Sequence, residues 1–323
     1  MAQAELRKIT MTIALKRLLW NHFAGRLLED LWAPKNLNFY LSIAILLQCR
    51  KERERGPQSK HLRSKVTDKC PSRGIKGDFM NVQNRVAIVT GASSGIGLAA
   101  ARLLAKRGAR VALVSRSKEK LKKLSAELAN SIAVPADMTK IPEIRSMVEQ
   151  TAEHFGGVDI LINNAGQGYD APVEETNIDV FHYIFDLKVI GPLVAMQQVI
   201  PHMRRQGEGA IINISSGTAL MYLPNMSAYS ATKRALANIS LTAREELRKD
   251  NITVSVVYPY ITLTEFEKNT IRASDDQMEQ AENAPFPPDS AEYVAQKILE
   301  GIEGGEAEIL AHSWMKNWPR REA

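Results

Sequence analysis

The amino-acid sequence predicts an α/β fold, a parallel sheet covered on both faces by helices. Three observations carry this. Strand-like and helix-like segments alternate from residue 85 to about residue 310. The strand segments are almost continuously apolar and β-branched, as in Val86-Ala87-Ile88-Val89, the pattern of strands buried on both faces. A glycine-rich turn, Thr90-Gly91-Ala92-Ser93-Ser94-Gly95-Ile96-Gly97, joins the first strand to the first helix.

In order, residues 85–90 form the first strand and 98–107 an Ala- and Leu-rich helix closed by Gly108. Strand 110–115 and helix 118–130 follow, the helix with a basic outer face, then strand 131–135, ending at Asp137-Met138. Helix 142–155 closes at Gly156-Gly157 and leads into strand 159–163. A long helix covers 180–203, strand 210–214 comes next, and a second long helix covers 228–249. Strand 253–258, helix 289–301 and strand 307–310 complete a seven-stranded sheet. No internal repeat is evident.

Two groups of residues carry chemistry. The glycines at 91, 95 and 97 allow a tight turn and close backbone approach, so that a pyrophosphate can sit on the helix N-terminus, where free N–H groups and the helix dipole favour anions. Further on, Tyr229 and Lys233 stand four residues apart, on one face if helical, and Ser216 lies upstream. A nearby ammonium favours phenolate and lowers the phenol pKa toward neutrality, where proton transfer is most useful. A Ser hydroxyl beside that phenol can hold a carbonyl or alcohol oxygen. Each residue alone reads as ordinary structure: Ser in a turn, Tyr half-buried, Lys on a solvated face. The order glycine turn, Asn163-Asn164-Ala165-Gly166, Ser216, Tyr229, Lys233 does not.

In that order the chain resembles the short-chain dehydrogenase/reductase family, which carries TGxxxGxG, NNAG, a Ser and YxxxK; the likeness runs from about Val82 to about Leu310. The resemblance implies a single doubly wound, Rossmann-type domain with NAD(P) across the C-terminal edge of the sheet. It implies reversible hydride transfer between nicotinamide and an alcohol or carbonyl, and homodimers or homotetramers built through the two long helices. Carried over, Tyr229 is the acid/base, Lys233 lowers its pKa and binds the ribose, and Ser216 orients the substrate oxygen. The implied cofactor contacts are Gly91, Ser93, Ser94, Gly95, Ile96 and Gly97 in the turn, Asp137 and Met138 at the adenine, and Asn164, Ala165 and Gly166. Pro259, Thr262 and Thr264 complete the set, with Thr264 at the nicotinamide amide.

Relatives preferring NAD place an acid at the end of the second strand. Here Ser115 holds that position and Arg116 follows, with Lys118 and Lys120 nearby, which favours NADP(H): a guanidinium grips a 2′-phosphate that a carboxylate would repel. The plainer reading of Arg116 is a cap on a solvated loop. Two departures stand out. Many relatives carry an Asn three residues before a Gly in the long helix, holding a water that links the active-site Lys to solvent. In Phe185-Asp186-Leu187-Lys188-Val189-Ile190-Gly191 that place is Lys188. It displaces the water, sets a second cation near Lys233, or swings outward. Relatives also have Pro-Gly where this chain has Pro259-Tyr260. The rival to an enzyme is a nucleotide-binding regulatory or scaffold protein, against which the intact Ser216, Tyr229 and Lys233 argue. Residues 264–288, with Phe266, Ile271, Met278, Phe286 and three prolines, read as an apolar lid suited to ketones rather than sugars.

Charge is uneven along the 323 residues. Residues 1–79 hold 16 Lys/Arg and 7 Asp/Glu; the remainder holds 26 and 29. The excess positive charge belongs to the extension, so the catalytic part, 80–323, is a poor partner for nucleic acid. Cys49 and Cys70 are both in the extension, which leaves no thiolate, disulfide or zinc site downstream and does not suggest a secreted scaffold. No metal is expected. The uncharged stretch 36–49 has fourteen residues, short against the ~20 of a membrane span. Leu15, Leu18, Leu19, Phe23 and Leu27 fall near helical spacing and admit a basic arm lying on a membrane surface. The reading adopted is plainer: 1–79 is a non-core, linker-like extension whose simplest cause is a start misassigned upstream of Met80, and the enzyme is cytoplasmic unless that arm is an anchor.

Overall fold

The computed structural model describes residues 80–273 and 286–317. The extension, with its apolar stretch and both cysteines, and the part of the expected lid that contains Met278 lie outside the described residues.

Among the described residues the strands are β1 (Val86–Thr90), β2 (Arg110–Ser115), β3 (Ser131–Pro135), β4 (Ile160–Asn163), β5 (Tyr169–Asp170), β6 (Gly209–Ile214), β7 (Ile252–Tyr258), β8 (Ile271–Arg272) and β9 (Glu308–Leu310). Seven of them form one parallel sheet in the order β3-β2-β1-β4-β6-β7-β9; β5 and β8 pair separately, also in parallel. All seven expected sheet strands are present. The order reverses direction between β1 and β4, which opens a crevice at the strands' C-terminal ends.

The helices are α1 (Gly95–Lys106), α2 (Lys118–Glu127), α3 (Ile141–Phe155), α4 (Ile178–Phe185), α5 (Gly191–Gln206), α6 (Ser227–Leu247) and α7 (Ala291–Gly304). Because strand side chains alternate, each strand feeds two cores. Ala87 and Val89 pack with Leu104 of α1 and Ile298 and Leu299 of α7. Ile88 between them points the other way, with Ile144 and Met147 of α3 and Val199 and Met203 of α5. A strand apolar along nearly its whole length therefore has both faces covered.

The long helix expected over 180–203 is not continuous. Between α4 and α5 the chain widens into a π-turn, Asp186–Ile190. A side chain at Gly191 would collide with the carbonyl of Met138, so the backbone is pinned there. Pro192 follows and has no N–H for the carbonyl four residues back, that of Lys188. The wider turn lets the Gly191 amide bond the Asp186 carbonyl instead. Within this turn Lys188 points inward and is buried.

Candidate active site

The crevice is a cavity of about 1400 Å³. One end is the β1–α1 turn. Gly91 (φ +70) and Gly95 (φ +52) hold backbone shapes that other residues avoid. Gly97 does not line the cavity; a Cβ there would strike the carbonyl of Gly91 and the amide of Asn164, so its role is to let α1 approach. Ser94, the cap of α1, makes no side-chain capping bond, so no side chain at the cap claims the first-turn amides. Thr264 packs on this turn, its methyl 3.0 Å from where a Gly95 side chain would begin. A cradle of amides that any Cβ would fill fits a dinucleotide pyrophosphate.

Most of the other sequence-predicted binding residues line the same cavity: Ser93, Ile96, Arg116, Asp137, Met138, Ala165, Gly166, Pro259 and Thr262. Asn164 lines it too, but its side chain is committed to the frame. Its Nδ2 donates to the Thr90 carbonyl (2.9 Å), and its backbone N–H and that of Ala165 donate to Thr90 Oγ1 (2.9 and 3.1 Å). Arg116 lies at the exposed end of β2, its guanidinium donating to Tyr183 Oη at 3.2 Å. Asp137 accepts from the amide and hydroxyl of Thr139 (2.9 and 2.8 Å). Burial works against its charge, but those bonds, with Arg116 and Lys140 nearby, hold its carboxyl below the usual range.

At the other end stand Ser216, Tyr229 and Lys233. Ser216 caps a short 3-10 turn (Gly217–Leu220), its Oγ accepting from the amide and hydroxyl of Thr218 (3.2 and 3.1 Å). Tyr229 and Lys233 lie in the first turns of α6 and are 7% and 4% exposed. The helix is fixed from below by a buried amide chain: Asn163 Nδ2 donates to Asn213 Oδ1, and Asn213 Nδ2 to Ser240 Oγ, both at 2.8 Å. Ser215 Oγ donates to the Lys233 carbonyl at 3.0 Å.

The electrostatics differ from the sequence expectation. Burial raises the Tyr229 phenol well above its ordinary value; a bond with Ser216 opposes this, while Glu267 and Asp170 add to it. Lys233 does not offset the burial. Its ammonium donates to the Ile214 carbonyl at 2.7 Å and lies 5.8 Å from the centre of the Tyr229 ring. Burial lowers Lys233 itself to about 8.

Lys188 does not swing outward. It is 2% exposed, lines the cavity, and holds its Nζ 4.7 Å from the centre of the Tyr229 ring and 5.4 Å from that of Phe266. The cavity also gathers residues that sequence patterns gave no reason to group. Arg272 joins Asp170 and Glu267 across the β5–β8 pair, and Met221, Tyr222 and Trp314 form an apolar wall. Tyr260, in place of the usual Gly, turns its ring edge-on to Trp314 at 5.2 Å, and Phe286 stacks on Trp314 at 4.5 Å. Among the described residues no helix is long and apolar enough to cross a membrane, and no group of His, Cys, Asp and Glu could hold a metal.

Comparison with known proteins agrees with this geometry. The family description "short chain dehydrogenase" matches residues 85–275. An 11-beta-hydroxysteroid dehydrogenase-like 2 of Arabidopsis thaliana is 34% identical over 245 residues, 74% of this chain and 77% of that protein. An uncharacterized oxidoreductase of Staphylococcus aureus is 36% identical over 178 residues, covering 54% of this chain and 77% of its own length. Among solved structures, a short-chain dehydrogenase from Streptomyces avermitilis superposes with a TM-score of 0.67 at 28% identity, covering 74% of this chain and 91% of that one. A 3-ketoacyl-(acyl-carrier-protein) reductase from Brucella melitensis, complexed with NADH, gives 0.65 at 26% identity over 71% and 98%. With the glycine turn, the NNAG loop and the Ser, Tyr and Lys gathered on one cavity, this chain belongs to the short-chain dehydrogenase family.

Proposed function

We propose that the chain is an NADP(H)-dependent oxidoreductase acting on an apolar ketone or the corresponding secondary alcohol, with Tyr229 as general acid/base. The observation that carries this is the convergence of Ser216, Tyr229 and Lys233 on the cavity that begins at the glycine turn. NADP(H) bound along that cavity supplies or accepts the hydride. The turn amides hold the pyrophosphate, Arg116 the 2′-phosphate, and Lys233 the ribose. Ser216, which accepts from Thr218, turns the hydroxyl hydrogen that otherwise serves the Tyr229 phenol to the substrate oxygen. Burial keeps the Tyr229 phenol protonated at neutral pH. It therefore enters as an acid and donates its proton to the carbonyl oxygen, which favours reduction. The apolar wall supports the choice of ketone, and the hydroxysteroid and ketoacyl names of two relatives lean the same way. Self-association through α5 and α6 belongs to the same reading, as does a dispensable extension.

The test is turnover of NADPH against a panel of aliphatic, alicyclic and aromatic ketones by the full chain and by Tyr229→Phe. The variant lacks only the phenolic oxygen, so turnover should vanish while NADPH binding persists. Wild-type turnover in Tyr229→Phe would remove Tyr229 from the chemistry.

A further inference from the structure

The family resemblance leaves Lys188 unexplained, and its surroundings are unusual. The Nζ is buried with no hydrogen-bond acceptor among the described protein atoms. Its space exists because position 166 is glycine: a Cβ there would lie 2.5 Å from the amine. Two aromatic faces, Tyr229 and Phe266, flank it. The amine of Lys233 shares the Tyr229 ring with it, 5.8 Å from the ring centre against 4.7 Å for Lys188.

Two ammonium groups cannot hydrogen-bond, because each offers only donors. Two buried ammonium charges without a counter-ion also repel at low dielectric, and the ordinary resolution is that one gives up its proton. Lys233 has a carbonyl acceptor, Ile214, and can keep its charge. Lys188 has none. We infer that Lys188 is the uncharged member of a two-lysine pair, a positioning residue whose lone pair accepts from the Lys233 ammonium and holds that group charged and aimed into the cavity.

The other charged and titratable groups agree with this division. From α6, Lys188 meets Lys233 and the Tyr229 phenol. Asp170 on β5 and Glu267 in the turn Glu267–Asn269 act on Tyr229, and both are engaged by Arg272. At Gly166 the loop after β4 presents no side chain. Burial and then the charge of Lys233 push Lys188 far below an ordinary lysine, while the bond with Lys188 works to raise Lys233. The pair thus carries one positive charge, and an amine stands where the resemblance puts an Asn and its water.

The inference rests on the proposed role of Lys233, so the test has one arm that needs no turnover. In the full chain labelled with 15N at the lysine side chains, NMR at pH 7 should show an uncharged amino nitrogen that disappears in Lys188→Met. If every lysine is charged at pH 7, or the uncharged signal survives in Lys188→Met, the inference fails, whatever Tyr229 does. The second arm is the pH dependence of kcat/KM with NADPH. Lys188→Met removes the acceptor, so the alkaline fall should move to lower pH by about one to two units, the equivalent of one hydrogen bond to a charged group. Lys188→Gln, whose amide oxygen can still accept, should move it back toward wild type. A uniform loss of activity in Lys188→Met with the alkaline fall unmoved would make Lys188 a mere spacer and overturn the inference.

Discussion

Gly97→Ala isolates what the glycine turn does. The added methyl would meet the Gly91 carbonyl and Asn164 Nδ2, and neither can retreat. Gly91 is held at φ +70, and Asn164 Nδ2 is tied to the Thr90 carbonyl at 2.9 Å. The start of α1 must therefore move outward, and overpacking of this kind costs about 1–3 kcal/mol. For a domain of this size that is a fall in Tm of about 2–12 °C. The same movement misaligns amides proposed to hold the pyrophosphate, and weakening one charge-assisted bond lowers NADPH affinity at least about tenfold. Gly156→Ala is the control. It too sits at positive φ (+88), but nothing lies within 4 Å of its added methyl, and it is remote from the cavity. It should lose about 1–2 kcal/mol from backbone strain alone and bind NADPH as the wild type does. Scanning fluorimetry with and without NADPH, together with calorimetric titration, separates the two. If Gly97→Ala binds NADPH with wild-type Kd, the turn is not the pyrophosphate site and the reasoning fails.

Arg116→Ala should raise KM for NADPH roughly ten- to a hundredfold, the loss of one charge-assisted phosphate contact, and leave KM for NADH nearly unchanged; equal losses with both cofactors would make Arg116 structural. Stability should rise with pH in urea titrations from neutrality toward about pH 10. Lys233 and Lys188 titrate lower in the folded chain than in the unfolded one, so the unfolded chain binds more protons there and folding gains as pH rises. Above pH 10 the trend should reverse, because Tyr229 and Tyr258 keep their protons in the folded state after the unfolded chain has lost them; a monotonic fall from pH 7 would contradict both lysine shifts. Protein begun at Met80 should remain soluble and retain NADPH-dependent turnover, with the catalytic rate of the full chain as the comparison.

The sheet was legible because strands such as β1 and β4 are apolar at every position but their last, Thr90 and Asn163, and only burial on both faces explains that. The glycine turn and the Ser, Tyr and Lys were legible because their chemistry demands fixed spacing along the chain. The π-turn was not. Gly191-Pro192 is equally compatible with the first turn of an ordinary helix, and what excludes a straight one is the Met138 carbonyl, more than fifty residues away in sequence. The inward course of Lys188 follows from that turn and was hidden for the same reason. The β5–β8 pair has two residues per strand, too few for a period to register. The Trp314 wall and the Asp170–Arg272–Glu267 group join segments far apart in sequence. The phenol pKa depends on burial depth, which a spacing rule does not carry.

The π-turn has a consequence for how this pocket could be altered. Such a turn holds one residue more than the helix on either side of it. Both flanks are secured elsewhere: the Asn177 amide ahead of α4 bonds Tyr169 Oη at 2.7 Å, and the Pro192 carbonyl in α5 accepts from Asn163 at 3.4 Å. Deleting one residue from 186–190 removes that extra residue, and because the Met138 carbonyl and Pro192 exclude a straight helix at Gly191, the change falls on the turn that lines the cavity. What would change is which side chain the wall presents to the cavity. Length, as well as residue identity, sets the lining at this spot. A library of single deletions and insertions across 186–190 would change which side chain stands at the place of Lys188, beside Leu187, which already lines the cavity.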